Sequence, residues 1–299
     1  MKQPGHASRS LRPGLCALLV AGLLALATSL TGAEELAATP LPPARFILSF
    51  DDGPSGATEE NPTRTILDAL ASNPTLPGIK AIFFVQTRIS DAGASEQGQA
   101  LLAREHAEGH VLALHSGTAL GHQSHRGLDD ATLEQSMIDG VADLQAVSGR
   151  ATTLVRPPYW AYDNRTLASY ARHGLEMLLT DISANDGKTW GFKGSPRRFI
   201  HMASEMRKVL ARMRNGEIPV VNGVIPVVVT FHDTNSYTAE HMLEYLQMIV
   251  DEASEQGITL APEPFYTDRA QLERAALVRA RDLAGRAEMT PWWWRWVQW

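Results

Sequence analysis

Cysteine is nearly absent: Cys16 is the only one in 299 residues. It stands at the start of an apolar run from about Leu15 to Leu30, preceded by Lys2, Arg9 and Arg12 and followed by Thr31, Gly32 and Ala33. Basic, then apolar, then small is the order of a secretory signal peptide, with a cut expected near Ala33. The mature chain would then hold no cysteine, which excludes disulfides and thiol chemistry. Cys16 opens the apolar run instead of following it, which argues against a lipoprotein site. The other reading of the run is a retained membrane anchor, since its length is near the lower limit for a span. Once it is removed no stable membrane span is expected, and export places the chain in the periplasm, the cell envelope or outside the cell. Basic surplus is also missing. Lys and Arg number 27 against 33 Asp and Glu, a net charge of -6, which leaves no electrostatic footprint for nucleic acid. Internal repeats and low-complexity segments are absent too.

What is present is an alternation. A Pro-rich stretch ends at Pro43, making 34–43 a linker, and one domain is expected over 44–266. Short apolar runs occur at Phe46–Phe50, Ala81–Val85, Val111–Leu114, Thr153–Val155, Met177–Thr180 and Val227–Phe231. Helical patterns lie between several of them, at Thr63–Ala71, Gly98–Glu108, Asp130–Val147, Asn164–His173 and Thr238–Glu255. Buried strands alternating with amphipathic helices predict a parallel α/β sheet, and the number of repeats predicts a distorted (β/α) barrel.

Chemically capable residues close these runs: Asp51 and Asp52, His115, Arg156, Asp181 and His232. In a parallel barrel the C-terminal strand ends are where an active site is assembled. Asp51-Asp52-Gly53-Pro54 places adjacent carboxylates at a turn, which is electrostatically costly unless a cation lies beside them. His115, His122 and His125 follow, and imidazoles with a carboxylate form a transition-metal set that leaves positions for water and substrate. Asp233 is read as an N-cap for the helix starting near Tyr237.

Taken in order, Phe50-Asp51-Asp52-Gly53-Pro54, His115-Ser116, Arg156-Pro157-Pro158-Tyr159, Asp181 to Trp190 and Thr230-Phe231-His232 resemble the five motifs of the polysaccharide deacetylase (NodB-homology) family. The resemblance implies a barrel of that type and a metal-dependent hydrolase that removes an acyl group, N-acetyl first, from an acetylated carbohydrate. Asp51 would be the general base. Asp52, His115 and a further histidine would hold a divalent metal, with Zn2+ as the default. Arg156 would pair with Asp51, Asp181 with His232, and His232 would be the general acid. The Tyr159 backbone N–H would bind the oxyanion. Asp186 fits the fourth motif in a second register.

Two departures qualify the resemblance. The family's second histidine falls four positions after the first, where this chain has Ala119; His125 is preferred as the ligand, with His122 next. Thr230 stands where a leucine usually lines the acetyl pocket, which predicts a more polar pocket. A helix is expected from about Asp268 to Ala287, and five of the seven tryptophans crowd Pro291–Trp299 behind it. That tail reads either as a sugar or membrane platform or as a cover over the barrel. Trp190 and Phe192 would line a sugar subsite or pack their own loop. Two rival functions remain open: a catalytically inactive carbohydrate-binding relative, and a hydrolase of small amides or esters on the same scaffold.

Overall fold

The computed structural model describes residues 40–186 and 195–289. The leader, Cys16, Trp190, Phe192 and the Trp-rich tail lie outside the described residues. Among the described residues eight parallel strands are β1 (Ala44–Asp51), β2 (Ala81–Gln86), β3 (Val111–Ser116), β4 (Leu154–Val155), β5 (Glu176–Met177), β6 (Ile182–Ser183), β7 (Ile225–His232) and β8 (Leu260–Phe265). Helices are α1 (Pro62–Ala71), α2 (Glu96–Ala107), α3 (Asp130–Ser148), α4 (Asn164–Arg172), α5 (Arg198–Arg214), α6 (Ser236–Glu240), α7 (Met242–Glu255) and α8 (Arg269–Met289). Short polar caps start them: Asn61, Ser95, Asp129 and Asp163 each accept a backbone N–H of the first turn, which satisfies donors the helix itself leaves free.

The strands run β5-β4-β3-β2-β1-β7-β6, with β8 also paired to β1. One stretch, Glu176–Ser183, pairs with β4 at its start and with β7 at its end. By changing partner it joins the two ends of the sheet, so the predicted barrel exists in distorted form. Alternation sorts the strand residues onto two faces. Phe46, Leu48, Phe50, Phe83, Val85, Leu112 and Leu114 pack under the surrounding helices. Ile47, Ile82, Phe84, Ala113, Leu154, Leu178 and Val228 point to the other face, where Leu272, Ala275, Ala276 and Ala280 of α8 cover them. Ser49 and Asp51 continue that inner face toward the C-terminal strand ends, beyond the reach of the apolar plug.

The expected strands and helices are present, with the short β6 added and four further differences. The Thr238–Glu255 pattern is two helices, broken at His241. Helix α5 was not expected, although Met202, Met206, Val209, Leu210 and Met213 recur at helical spacing and are buried. Strand β8 carries Pro262 and Pro264, which read against a strand; its pairing to β1 is shifted in register. The cap of α6 is Asn235, not Asp233.

Candidate metal centre and acid–base pair

Strand β1 ends on Asp51 and β7 on His232, and the two are register partners in adjacent strands. Pairing alone therefore brings these two side chains together on the inner face. Asp51 is buried and receives Arg156 Nη1 on Oδ1 at 2.7 Å, with both side chains almost without exposure. The guanidinium also donates to Ser49 Oγ at 2.9 Å and to the Leu178 carbonyl at 2.9 Å, and its carbon lies 4.0 Å from the Phe84 ring centroid. Ser49 donates its one proton to the Val229 carbonyl at 3.0 Å, so the Thr230 hydroxyl 3.1 Å away donates to Ser49. This overturns the expectation for Thr230. Its hydroxyl is consumed inside the network that holds Arg156 and does not make an acyl pocket polar.

Asp52 adopts the left-handed region, φ 77°, a conformation that costs a non-glycine residue energy and recurs at functional sites. Its Oδ1 lies 3.2 Å from His115 Nε2 and 3.1 Å from His122 Nε2, and the two imidazole nitrogens are 3.2 Å apart. Donors about 2.1 Å from one ion, at angles between octahedral and tetrahedral, lie roughly 3.0–3.4 Å from one another. The three atoms therefore fit a divalent metal in spacing and in chemistry. His115 Nδ1 donates to the Arg156 carbonyl at 2.8 Å, which leaves Nε2 as the lone-pair nitrogen. Burial works to raise the Asp52 pKa, but without a metal the hydrogen bond and charge of a doubly protonated His115, with the charges of His232 and His122, outweigh it and hold it far below the usual range.

The structure brings His122, not His125, to this cluster. His125 opens a short 3-10 turn whose geometry sends its ring into the interior. There Nδ1 meets the Tyr170 hydroxyl at 2.7 Å, and burial lowers its pKa to about 3, which keeps it neutral. It is a core histidine.

The fourth motif is corrected as well. Asp181 lies in the partner-changing stretch, where its Oδ1 receives Arg212 at 2.8 Å and Arg279 of α8 at 2.7 Å, and its Oδ2 receives the Val228 N–H at 2.8 Å. It tethers helices to the barrel and does not touch His232. Asp186 does: Oδ1 is 2.8 Å from His232 Nδ1, and Oδ2 takes the His232 N–H at 2.7 Å and the Thr238 hydroxyl at 2.6 Å. Burial works to lower the His232 pKa, yet the Asp186 charge and hydrogen bond, aided by Asp52 and Asp51, raise it to about 9. The imidazole is thus a cation at neutral pH.

Gln86 escaped the sequence reading. It closes β2 and donates through Nε2 to the Asp52 carbonyl at 3.1 Å, while its N–H bonds the Gly53 carbonyl at 3.0 Å. The signal that found the other residues, a polar group closing an apolar run, marks it too. Beneath the same turn Asp233 is buried and accepts the Thr63 hydroxyl at 2.9 Å. A Cβ on Gly53 would overlap the Asp233 carboxylate. Gly53→Ala is accordingly expected to destabilise the protein by about 1–3 kcal/mol, and to weaken metal retention because the overlap sits beside Asp52. Urea unfolding and metal content measure the two effects, and an unchanged variant would contradict this packing.

Asp51, Asp52, His115, His122, Asp186 and His232 line one cavity of about 350 Å³, with Tyr159, Trp160, Ser183 and Asn185 completing its walls. Among the described residues no helix is long and apolar enough to cross a membrane.

Residues 39–178 match the family described as polysaccharide deacetylase, which bears out the resemblance carried by the motifs. A curated chitin deacetylase from Pestalotiopsis sp is 30% identical over 144 residues, 48% of this chain and 44% of its own length. The match thus spans less than half of that relative. Among solved structures, the chitin deacetylase of the fungal pathogen Colletotrichum lindemuthianum superposes with a TM-score of 0.53 at 20% identity, covering 76% of this chain and 96% of that one. The family 4 carbohydrate esterase of Streptomyces lividans, in complex with acetate, gives 0.50 at 21% identity over 72% and 91%. These likenesses establish the barrel fold.

Proposed function

We propose that the chain is an exported hydrolase that removes an acyl group, N-acetyl first, from an acetylated carbohydrate at a divalent metal held by Asp52, His115 and His122. The observation that carries the proposal is the convergence, in one cavity, of a three-donor metal set with a carboxylate and an imidazole on adjacent strand ends. The matching family and the deacetylase relatives support the substrate class. A divalent metal bound there supplies Lewis acidity to a carbonyl oxygen and makes water a better acid.

The rest belongs to side chains. Arg156 occupies Asp51 Oδ1, which leaves Oδ2 to take a proton from the attacking water. The hydroxide so formed bonds to the acyl carbon. Developing negative charge on the carbonyl oxygen is assigned to the Tyr159 N–H. Because Asp186 holds His232 Nδ1, Nε2 carries the proton that the leaving nitrogen accepts as the carbon–nitrogen bond breaks. Acetate and a free amine result, and the base and acid act from neighbouring strands. Tyr159, exposed, and the half-buried Trp160 give the mouth an aromatic rim suited to a sugar face.

The assay follows acetate release from N-acetylated chito-oligosaccharides, peptidoglycan and O-acetylated xylan. The proposal expects release from an N-acetylated glycan, lost on chelation and restored by divalent metal. Release from none of them, by a protein that does hold metal, would overturn the substrate class. An inactive carbohydrate-binding protein would retain oligosaccharide binding and release nothing.

A further inference from the structure

The second imidazole ligand stands seven residues after the first, at the far side of a stretch without helix or strand. That stretch is anchored at its start, where the Gly117 N–H donates to Ser136 Oγ at 3.0 Å, and opens to solvent beyond it. Leu120 is exposed, and around Gly121, at φ 86°, a Cβ would meet nothing within 4 Å. Three of its hydrogen bonds stay within it: Leu120 N to Thr118 Oγ1 at 3.2 Å, Gln123 N to the Gly121 carbonyl at 2.9 Å, and Gln123 Nε2 to the Leu120 carbonyl at 3.1 Å.

Tyr159 reaches His122 from the barrel side. Its hydroxyl donates to the His122 carbonyl at 3.0 Å, and its ring lies 4.4 Å from the imidazole centroid at 39°. One contact fixes the backbone of the ligand and the other fixes the plane of its ring. Tyr159 can do both because it and Trp160 adopt φ 60° and 53° in succession. Non-glycine residues seldom take this left-handed conformation, and here it turns the phenol over the cavity mouth.

We infer that the Tyr159 side chain is the positioning residue for His122, and that Arg156-Pro157-Pro158-Tyr159 orients both imidazole ligands. The Arg156 carbonyl fixes the tautomer of His115, and three residues later the Tyr159 phenol fixes the placement of His122. This role is separate from the one assigned to the Tyr159 backbone N–H. It explains how a displaced histidine keeps its nitrogen within 3.1 Å of Asp52. The inference rests on the metal site proposed above and goes beyond it, since nothing in the metal reading requires a tyrosine side chain.

The test measures zinc affinity and not turnover. The purified protein is stripped of metal, and the dissociation constant for Zn2+ is obtained by competition with a chromophoric chelator. The set is wild type, Tyr159→Phe, Tyr159→Leu and His122→Ala, with the melting temperature of each metal-free protein recorded. Tyr159→Leu is expected to weaken zinc binding about 10–100-fold, the loss that follows when the partner of a metal ligand is removed. Tyr159→Phe, which keeps the ring and loses the hydrogen bond, falls between Leu and wild type. Metal-free melting stays at the wild-type value in both, because an exposed phenol adds little to the core. Wild-type zinc affinity in Tyr159→Leu overturns the inference while leaving the metal site intact. Failure of the wild type itself to bind any divalent metal overturns the site, and the inference with it.

Discussion

Asp51→Asn is expected to slow acyl hydrolysis by about 10²–10⁴-fold, the range for losing a positioned general base, while the protein keeps its metal. The reason is geometric. Asp51 lines the same cavity without being one of the three donors, whereas Asp52 points into the donor set. Asparagine preserves the shape and still accepts from Arg156, but takes no proton. The substitution also leaves a fully buried guanidinium without its counter-charge. Loss of one member of such a pair destabilises by up to about 3–5 kcal/mol, so unfolding must be measured beside activity. A folded, metal-loaded variant with wild-type turnover would remove Asp51 from the mechanism.

The second large effect belongs to Asp186. Its carboxylate grips both the imidazole and the backbone N–H of His232, and its charge is the main reason that the imidazole holds its proton to about 9. Asp186→Asn keeps the size and removes the charge. In the metal-free protein the His232 resonance is expected to titrate at lower pH, moving from about 9 toward the ordinary 6.5. Turnover at neutral pH is expected to fall by roughly 100-fold or more, as when the carboxylate partner of a catalytic histidine is lost, with the alkaline limb shifted the same way. Stability follows the proton. A folded-state pKa above the unfolded value contributes stability that is complete below about 6.5 and vanishes as pH rises through about 9. The variant should lose that contribution at low pH and differ less from wild type above 9. An unmoved titration would mean that Asp52 and Asp51, not Asp186, hold the His232 proton against burial.

These two predictions rest on residues that differed in how far the sequence revealed them. Asp51, Asp52, His115, Arg156 and His232 each close an apolar run, and a parallel barrel turns that position into a site without further information. Asp186 closes no long run. It lies five residues after Asp181, which does follow an apolar stretch, and only the arginines on α5 and α8 explain why Asp181 is occupied elsewhere. Those partners are distant in sequence, so no local pattern betrays them. The histidines pose the same difficulty. His122 and His125 are both reachable from His115, and the choice is made by the 3-10 turn and the Tyr170 hydroxyl that draw His125 inward. Thr230 shows a third kind of miss. Its position in the motif is as expected, but strand pairing puts Ser49 beside it, and that contact decides where its hydroxyl goes.

The account stands most directly on metal content measured together with acetate release, on the same samples of wild type, His122→Ala and His125→Ala. It predicts near-stoichiometric divalent metal and activity in wild type. His122→Ala should lose both, and His125→Ala should keep its metal while melting at lower temperature through loss of a buried side chain. Metal absent from all three after reconstitution, or lost from His125→Ala and retained by His122→Ala, would contradict it.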